Sequence, residues 1–219
     1  MRLVATGLTD VGMVREGNED NYLHDERLGI YAVADGMGGH EAGEVASAVA
    51  IEALRAGIAG GSLITEAVIQ ANTAVLEKAD ANPAMRGMGT TLTAAIQVEG
   101  GLRIGHVGDS RAYVLRAGIL ARVTDDHSLV EELVRSGQIT LEQAAIHPQR
   151  SVITRALGIE RDIEVDDISL ELTDGDRVLI CSDGLSGMVR ETEISAIMRR
   201  ETDTDAAARA LITAANAGG

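Results

Sequence analysis

The 219-residue chain has 34 acidic side chains against 19 Lys and Arg, which gives a formal charge of −15 at pH 7. This net negative charge argues against nucleic acid or an anionic membrane as the main partner, because both attract positive surfaces. The single cysteine, Cys181, excludes a disulfide within these residues, and neither a run of about 18 apolar residues nor a signal-type N-terminus is present. Composition therefore predicts a soluble cytoplasmic protein.

Hydrophobic residues make up 45% of the chain, but Phe and Trp are absent. The core is therefore predicted to be aliphatic, and substrate recognition cannot rest on an aromatic platform. A single core can grow to roughly 250 residues. The chain has only two prolines and no Pro-rich or Ser-rich linker, which favours one domain over residues 1–219.

Short apolar runs typical of strands recur along the chain, and several neighbours are separated by only a few Gly, Asp or Ser residues. Such connections favour hairpins and antiparallel pairing. Helical spacing appears in separate blocks, so the sequence predicts an α+β fold with sheets covered by helix pairs. The predicted strands are 29–34, 91–98, 102–107, 111–115, 168–172 and 177–181. The predicted helices are 41–55, 63–79, 128–135 and 206–215.

Three predicted strands end in an aspartate followed by a residue that permits a turn: Asp35 in "YAVADG", Asp109 in "GHVGDS" and Asp183 in "LICSDG". One such ending usually marks a turn, but three of them place carboxylates on rigid sheet ends. Glu19 and Asp20 in "VREGNEDNYL" add two more acids. Mg²⁺ and Mn²⁺ prefer oxygen donors, so the pattern predicts a carboxylate site for hard divalent cations.

Simpler interpretations stay open at this point. The charges of "VREGNEDNYL" are also typical of a solvated turn, because Gly17 and Asn18 interrupt the chain there. A zinc site is disfavoured, because the five histidines are scattered and "HEAGE" lacks a second histidine. Structural roles are expected for His40 and His106.

Other phosphate chemistries fail on spacing. The segment "DGMGGHEAGEVAS" lacks the Lys and Ser/Thr of a P-loop, and Glu41 stands where G-x-G-x-x-G needs its last glycine. It is interpreted as a turn into a helix, whose glycines allow close approach of a ligand. Cys181 has Gly187 rather than an arginine six residues on, so a buried, unreactive thiol is expected. No G-x-S-x-G elbow of a serine hydrolase is present in the sequence.

Metal-activated water is the chemistry that remains. Two cations about 3.5–4 Å apart lower the pKa of a shared water and offset charge on the attacking and leaving oxygens. Such a site needs a bridging acid, further acids for each metal and a guanidinium for the phosphate. Residues of these types are Asp35, Asp183, the pair Glu19 and Asp20, and Arg15.

The order of the motifs resembles a known family. The chain contains, in this order, "VREGNED", "ADGMGGHEAGEVAS", "GTTL", "GDSRAY", "TDDHS", "ITRALG" and "CSDGL". This order resembles the bacterial metal-dependent Ser/Thr protein phosphatases of type 2C over nearly the whole chain. The resemblance implies a four-layer α-β-β-α sandwich, with two antiparallel sheets flanked by helix pairs. It also implies a core site for two Mn²⁺ or Mg²⁺ ions at one end of the sandwich.

The resemblance also implies a role for each acid of the site. Asp35 looks like the carboxylate that bridges both metals, and Gly36 looks like a ligand through its backbone carbonyl. Asp183 is similar to the acid on the first metal. Glu19 resembles the residue in the water shell of the second metal, with Asp20 beside it as support.

Arg15 matches the arginine that binds the substrate phosphate, so Arg15 and Asp35 are the expected catalytic residues. Asp109 matches a ligand for a weaker third metal in bacterial members. Residues 129–155 correspond to the flap beside the site, which is expected to shape substrate choice. Met37 stands where some relatives have a His proposed as general acid, so the leaving group is expected to take its proton from water or another group.

Members of this family continue past the terminal helix with a G-x-D-N-x-T motif, whose Asp holds the first metal, and then with a closing strand. The printed sequence reaches Gly219 without either. We therefore expect the last metal-binding Asp and the closing strand to lie outside these 219 residues.

The leading prediction is hydrolysis of phosphoserine and phosphothreonine in proteins, with phosphorylated proteins as substrates and a bacterial Ser/Thr kinase as the opposing enzyme. The alternative is a weak or inactive phosphatase-like domain that binds a phosphoprotein, which the missing acid favours. A third hypothesis places the substrate among small regulatory proteins of a stress or sporulation switch. Arg15 and "DGMGG" favour the kinase-opposing group.

Overall fold

The computed structural model describes residues 3–39 and 41–219, and His40 therefore lies outside the described residues. Strands and helices follow one another in blocks along the chain. The strands are β1 (Asp20–Asp25), β2 (Ile30–Met37), β3 (Gly89–Thr90), β4 (Leu92–Val98), β5 (Gly101–Val107), β6 (Arg111–Arg116), β7 (Ile119–Arg122), β8 (Asp166–Glu171) and β9 (Arg177–Cys181). The helices are α1 (Glu41–Ala59), α2 (Ile64–Ala81), α3 (Leu129–Arg135), α4 (Leu141–Ala145), α5 (Asp183–Ser186), α6 (Glu191–Arg200) and α7 (Thr204–Gly218).

The described strands form two antiparallel sheets. The first has the order β1-β2-β4-β5-β8, with β3 paired to β2, and the second has the order β7-β6-β9. Aliphatic side chains of both sheets pack between them, including Ile104 from β5 and Ala112 from β6. The predicted antiparallel pairing and the aliphatic core are confirmed.

Helix pairs cover the outer faces of both sheets. On the first sheet, α1 buries a stripe of Ala46, Ala50 and Leu54, which recur every four residues on one helix face. On the second sheet, α6 buries Ile194 and Ile197 in a separate cluster that α7 joins. The expected four-layer α-β-β-α sandwich is therefore confirmed. Among the described helices, none combines the length and the hydropathy needed to cross a bilayer.

The structure differs from the sequence prediction in several elements. Strand β1 was not predicted, because Asp and Asn are depleted in strands, yet it pairs with β2 along its whole length. Helix α6 was also missed, although Ile194, Ile197 and Met198 follow helical spacing. Strand β2 continues to Met37, because its last residues pair with β3, so Asp35 lies within the strand rather than after it. Helix α7 likewise continues through Gly218.

Asn72 fixes the loop that follows the flap. Its side chain is fully buried on α2, donates to the carbonyl of Glu160 at 2.8 Å and accepts the N–H of Gly158 at 2.8 Å. Gly158 has a φ of 86°, a left-handed conformation that favours glycine. The amide of Asn72 thus provides the acceptor for the buried N–H of Gly158, which would otherwise lack a partner.

Replacing Asn72 by alanine is expected to lower the free energy of unfolding by about 1–3 kcal/mol, because the buried N–H of Gly158 loses its acceptor. Urea denaturation measures this loss. The control is Thr73→Ala, an exposed neighbour on α2, which is expected to change stability by less than about 0.5 kcal/mol. Equal unfolding curves for the two variants would contradict this account of Asn72.

Candidate functional site

Two aspartates lie opposite each other on adjacent strands of the first sheet. In the antiparallel ladder of β1 and β2, Asp20 lies directly opposite Asp35. Like charges at such paired positions repel and destabilise a sheet. The alternating burial of β2 places Ala34 and Gly36 on the buried face towards α1, so Asp35 points to the opposite face.

Asp183 joins this pair from the second sheet. It is the first residue of α5, two positions after β9 ends at Cys181. The hydroxyl of Ser182 donates to the Asp20 carboxylate at 2.6 Å, although the two residues are 162 positions apart in the chain. The acidic cluster therefore lies where the two sheets meet.

Burial and mutual repulsion shift the protonation of the cluster. Burial, followed by the charges of Asp20 and Asp183, raises the pKa of Asp35 to about 9. Burial and the charge of Asp183 also raise the pKa of Asp20 above its usual range. Asp109, on the turn after β5, has its pKa raised to about 6, again by burial and then by Asp183. A strong negative potential at this position favours binding of cations.

Buried hydroxyl groups hold the backbone that carries Asp35. The N–H of Asp35 donates to the hydroxyl of Thr91 at 3.0 Å, and the hydroxyl of Thr90 donates to the Asp35 carbonyl at 2.9 Å. The Thr91 hydroxyl also shares a 2.8 Å hydrogen bond with Ser110, the residue after Asp109. Thr91 thus ties the strand of Asp35 to the turn of Asp109.

Helix α1 approaches the site through two glycines. A side chain at Gly36 would place its Cβ 2.0 Å from the carbonyl oxygen of Gly43, so only glycine fits there. A Cβ at Gly43 would lie 2.9 Å from the carboxyl carbon of Glu19. The Glu19 carbonyl accepts the Gly36 N–H at 3.1 Å and the Ser47 hydroxyl at 2.7 Å.

These contacts modify the interpretation of the glycine-rich segment. Gly38 and Gly39 have φ values of 127° and 84°, which confirms the predicted turn before α1. In addition, the glycines at positions 36 and 43 allow a close approach between β2, α1 and Glu19.

Arg15 lies at the edge of the site. Its side chain is 66% exposed, and its guanidinium lies 3.5 Å from the carboxylate of Glu19. Arg15, Glu19, Asp20, Asp35 and Asp183 line one cavity of about 1200 Å³. Five of the residues expected at the site are therefore brought together by the fold.

Two further expected residues do not line this cavity. Gly36 is buried on the face of β2 that packs against α1. Asp109 lies close enough for its charge to contribute to the raised pKa of Asp35.

The donor types fit hydrated hard cations. Asp35 lies close enough to Asp20 and Asp183 for their charges to raise its pKa, and carboxylate oxygens are the donors that Mg²⁺ and Mn²⁺ prefer. Within residues 3–39 and 41–219, no three His, Cys, Asp or Glu side chains converge as a compact metal cage. One or two carboxylates with several waters suffice for Mg²⁺. Zinc fits poorly, because His24 is the only histidine within residues 3–39 and 41–219 that lines this cavity, and it pairs with Glu26.

The structure also tests the residues that were expected to be structural. His106 is fully buried, shares a 2.8 Å hydrogen bond with Thr93, and lies 2.9 Å from the carbonyl of Asp125. Cys181 is a buried free thiol, and burial raises its pKa to about 12, so it is a poor nucleophile. Both expectations are confirmed.

Several residues that support the site were not found by sequence reasoning. Ser182 precedes Asp183 within "CSDGL", and Thr90 and Thr91 form the threonine pair of "GTTL". The motifs themselves were the available signal, but the partner of each hydroxyl depends on contacts between distant segments.

The protein phosphatase 2C family model matches residues 15–213 of the chain. The chain belongs to this family. The serine/threonine phosphatase stp of Listeria monocytogenes is 40% identical over 224 residues, which cover 96% of this chain and 89% of the relative. The PPM Ser-Thr phosphatase MsPP of Mycobacterium smegmatis, solved in complex with cacodylate, is 42% identical with a TM-score of 0.90 and covers 99% of this chain and 93% of that one.

A further solved structure concerns the metals of the family. The catalytic domain of the serine/threonine protein phosphatase PstP, solved with two manganese ions, is 40% identical with a TM-score of 0.85, and the match covers 95% of this chain and 89% of that one. The expected class of a type 2C serine/threonine protein phosphatase is therefore confirmed. It is favoured over the alternative of an inactive binding domain.

The raised pKa of Asp35 has a consequence for the stability of this phosphatase without metal. Its folded-state pKa of about 9 lies above the ordinary value of 3.8, so the folded state holds this proton more tightly than the unfolded chain. Between about pH 4 and pH 9 this group therefore lowers stability as pH rises. Asp35→Asn is expected to remove that slope and to raise the free energy of unfolding at pH 8 by about 1 kcal/mol or more.

The measurement is urea unfolding in EDTA at pH 5 and pH 8. The control is Asp176→Asn, because hydrogen bonding to Arg116 lowers the pKa of Asp176 to about 2. That carboxylate stabilises the fold above about pH 4 and loses its effect as pH falls towards 2, so its neutral variant should be less stable at both pH values. An Asp35→Asn variant that is less stable than the parent at pH 8 would refute the repulsion argument.

Proposed function

We propose that this phosphatase hydrolyses phosphoserine and phosphothreonine esters in proteins with water activated by two Mn²⁺ or Mg²⁺ ions. The observation that carries the proposal is the pairing of Asp20 with Asp35 beside Asp183, in a cluster whose charges repel one another. When bound, such ions lower the pKa of water and offset phosphate charge. The manganese ions of the related PstP catalytic domain support this choice of cofactor.

The acids of the cluster would divide the binding of the two ions. Asp35, central in the cluster, would bridge both, and Asp183 would bind the first. Glu19, whose side chain is 17% exposed, would act on the second through water, with Asp20 as support. The Gly36 carbonyl would add a backbone oxygen. Residues on both sheets and the start of α1 hold these groups, so little reorganisation is needed on binding.

Arg15 would bind the phosphate of the substrate. Its guanidinium is exposed at the edge of the cavity and held near Glu19, where it can offer two parallel N–H donors to a phosphate. Asp109 would bind a weaker third ion. Met37 carries no exchangeable proton, so we propose that the leaving alkoxide is protonated by water or another group.

We infer phosphorylated proteins as substrates and a cognate Ser/Thr kinase as the opposing enzyme, with the flap at residues 129–155 acting on substrate choice. A soluble cytoplasmic setting, without nucleic acid or membrane partners, follows from the net charge and the single cysteine. Phosphate release by this protein can be compared on two sets of substrates: proteins phosphorylated by a Ser/Thr kinase, and small regulatory phosphoproteins of a stress switch. The preferred set distinguishes the two hypotheses.

Asp183→Ala is expected to lower Mn²⁺-dependent phosphate release from a phosphothreonine peptide by more than about 100-fold, because the first ion loses a direct ligand. The assay is an initial rate across a Mn²⁺ titration, with EDTA as the zero point. Asp162→Ala, an exposed acid in a loop, is the matched control and should keep the parent rate. Undiminished turnover in Asp183→Ala, with its fold verified by urea unfolding, would contradict the proposed metal site.

Arg15→Ala is expected to lower kcat/KM for the same peptide by about 10- to 100-fold, since a charge-assisted hydrogen-bonded contact contributes about 1.5–3 kcal/mol. Arg15→Lys should restore only part of the loss, because an ammonium cannot make the bidentate contact. Arg27→Ala, an exposed arginine on the turn between β1 and β2, serves as control. An unchanged kcat/KM in Arg15→Ala would remove Arg15 from the phosphate site.

A further inference from the structure

His127 holds the turn that carries Asp109. Its backbone N–H donates to the carbonyl of Gly108 at 2.8 Å, and its ring Nδ1 accepts the N–H of Gly108 at 3.0 Å. Gly108 is buried, with a φ of 110°, so its conformation is left-handed and favours glycine. Both backbone groups of the residue before Asp109 are therefore bound by one histidine.

The ring of His127 is itself held on several sides. It is 6% exposed and packs against the ring of His106, with 4.8 Å between the ring centroids. The other ring nitrogen, Nε2, lies 3.2 Å from the Asp166 carboxylate and 3.0 Å from the Arg155 guanidinium, so both ring nitrogens have polar partners. Burial and then the charge of Arg155 lower the pKa of His127, which agrees with a neutral ring.

The backbone of His127 lies at the base of the flap. Its carbonyl accepts the N–H of Thr154 at 2.9 Å, and Ser128 forms an antiparallel bridge with Ile153. The N–H of Leu129 continues this pairing by donating to the carbonyl of Val152 at 2.9 Å. Both ends of the flap segment are thus joined beside the residue that fixes Gly108.

We propose that His127 is a positioning residue that directs the Asp109 carboxylate towards the acidic cluster and links it to the base of the flap. It does not touch substrate and acts through Gly108. The proposal rests on the proposed function, in which Asp109 binds a weaker cation. If His127 had only a structural role, replacing it would lower stability alone. If it positions Asp109, replacing it also weakens the cation binding that depends on Asp109.

The chain contains a matched control for this distinction. Asn72 also accepts the N–H of a buried left-handed glycine, Gly158, at 2.8 Å, but no acid of the site follows that glycine. Asn72→Ala should therefore lower stability without changing metal binding. His127→Ala should lower stability and also weaken the Asp109-dependent Mn²⁺ event by about tenfold or more, in the range seen for residues that orient metal ligands.

Two substitutions separate the two ends of the ring and keep the test decisive if His127→Ala does not fold. The side-chain oxygen of asparagine occupies a place close to that of Nδ1, so His127→Asn retains an acceptor for Gly108 and should bind Mn²⁺ nearly as the parent does. His127→Gln reaches towards Asp166 but lacks that acceptor, so it should show the weakened event. Equal Mn²⁺ binding by these two variants overturns the proposal.

The experiment counts Mn²⁺ bound to the EDTA-treated full chain by the loss of the free-ion signal in electron paramagnetic resonance, with thermal unfolding in parallel. Asp109→Ala identifies which Mn²⁺ binding step is the weaker one. In the Asp109→Ala background, His127→Ala should have no further effect on Mn²⁺ binding, because His127 acts through Asp109. The proposal is overturned by parent-like Mn²⁺ binding in His127→Ala or by an effect that persists without Asp109. It is also overturned if no Mn²⁺ event depends on Asp109.

Peptide turnover by the parent protein distinguishes a failure of the proposed function from a failure of the role proposed for His127. If the parent releases no phosphate from a phosphothreonine peptide at any Mn²⁺ concentration, the proposed function fails. If the parent is active and His127→Ala matches Asn72→Ala in Mn²⁺ binding, only the role of His127 fails.

Discussion

The repulsion between Asp20 and Asp35 is the constraint on which the site depends. The register of β1 and β2 places two carboxylates opposite each other in a partly buried position, where neither burial nor the neighbouring charge favours ionisation. A sheet made only for stability would avoid this pair. Under the proposed function its presence is understandable, because bound cations would offset the repulsion between these acids.

The surrounding fold serves to hold that unfavourable arrangement. Gly36 and Gly43 allow α1 to approach β2 closely enough to fix Glu19, and the buried hydroxyl of Thr91 links the strand of Asp35 to the turn of Asp109. The hydrogen bond from Ser182 to Asp20 joins the two sheets at the cluster. The site is therefore a property of the interface between the sheets, and the aliphatic layers on either side keep that interface rigid.

Membership of the protein phosphatase 2C family explains why these acids are gathered, while the particular residues of this chain define how the reaction is supported. Met37, two residues after Asp35 on β2, carries no acidic group, so under the proposed function the leaving group would take its proton from water or another group. The flap is anchored at its base through His127, whose other contacts reach the Asp109 turn. His127 thus supports both the base of the flap and the turn that carries Asp109.

The sequence by itself determined the residue chemistry of the site and most of the fold class. Short apolar runs and helical blocks predicted an antiparallel α+β sandwich. The ordered motifs predicted Arg15, Asp35 and Asp183 as site residues and identified the class of reaction. These features are local, since side-chain periodicity and turn chemistry can be read within a few residues.

Only the tertiary structure decided which of these residues meet. The register that opposes Asp20 to Asp35 and the hydrogen bond between His127 and Gly108 depend on tertiary contacts, and the bond between Ser182 and Asp20 joins residues 162 positions apart. Strand β1 could not be predicted from "DNYLHD", because its pairing with β2 overrides a weak local propensity. The raised pKa of Asp35 likewise depends on burial, which no local pattern specifies.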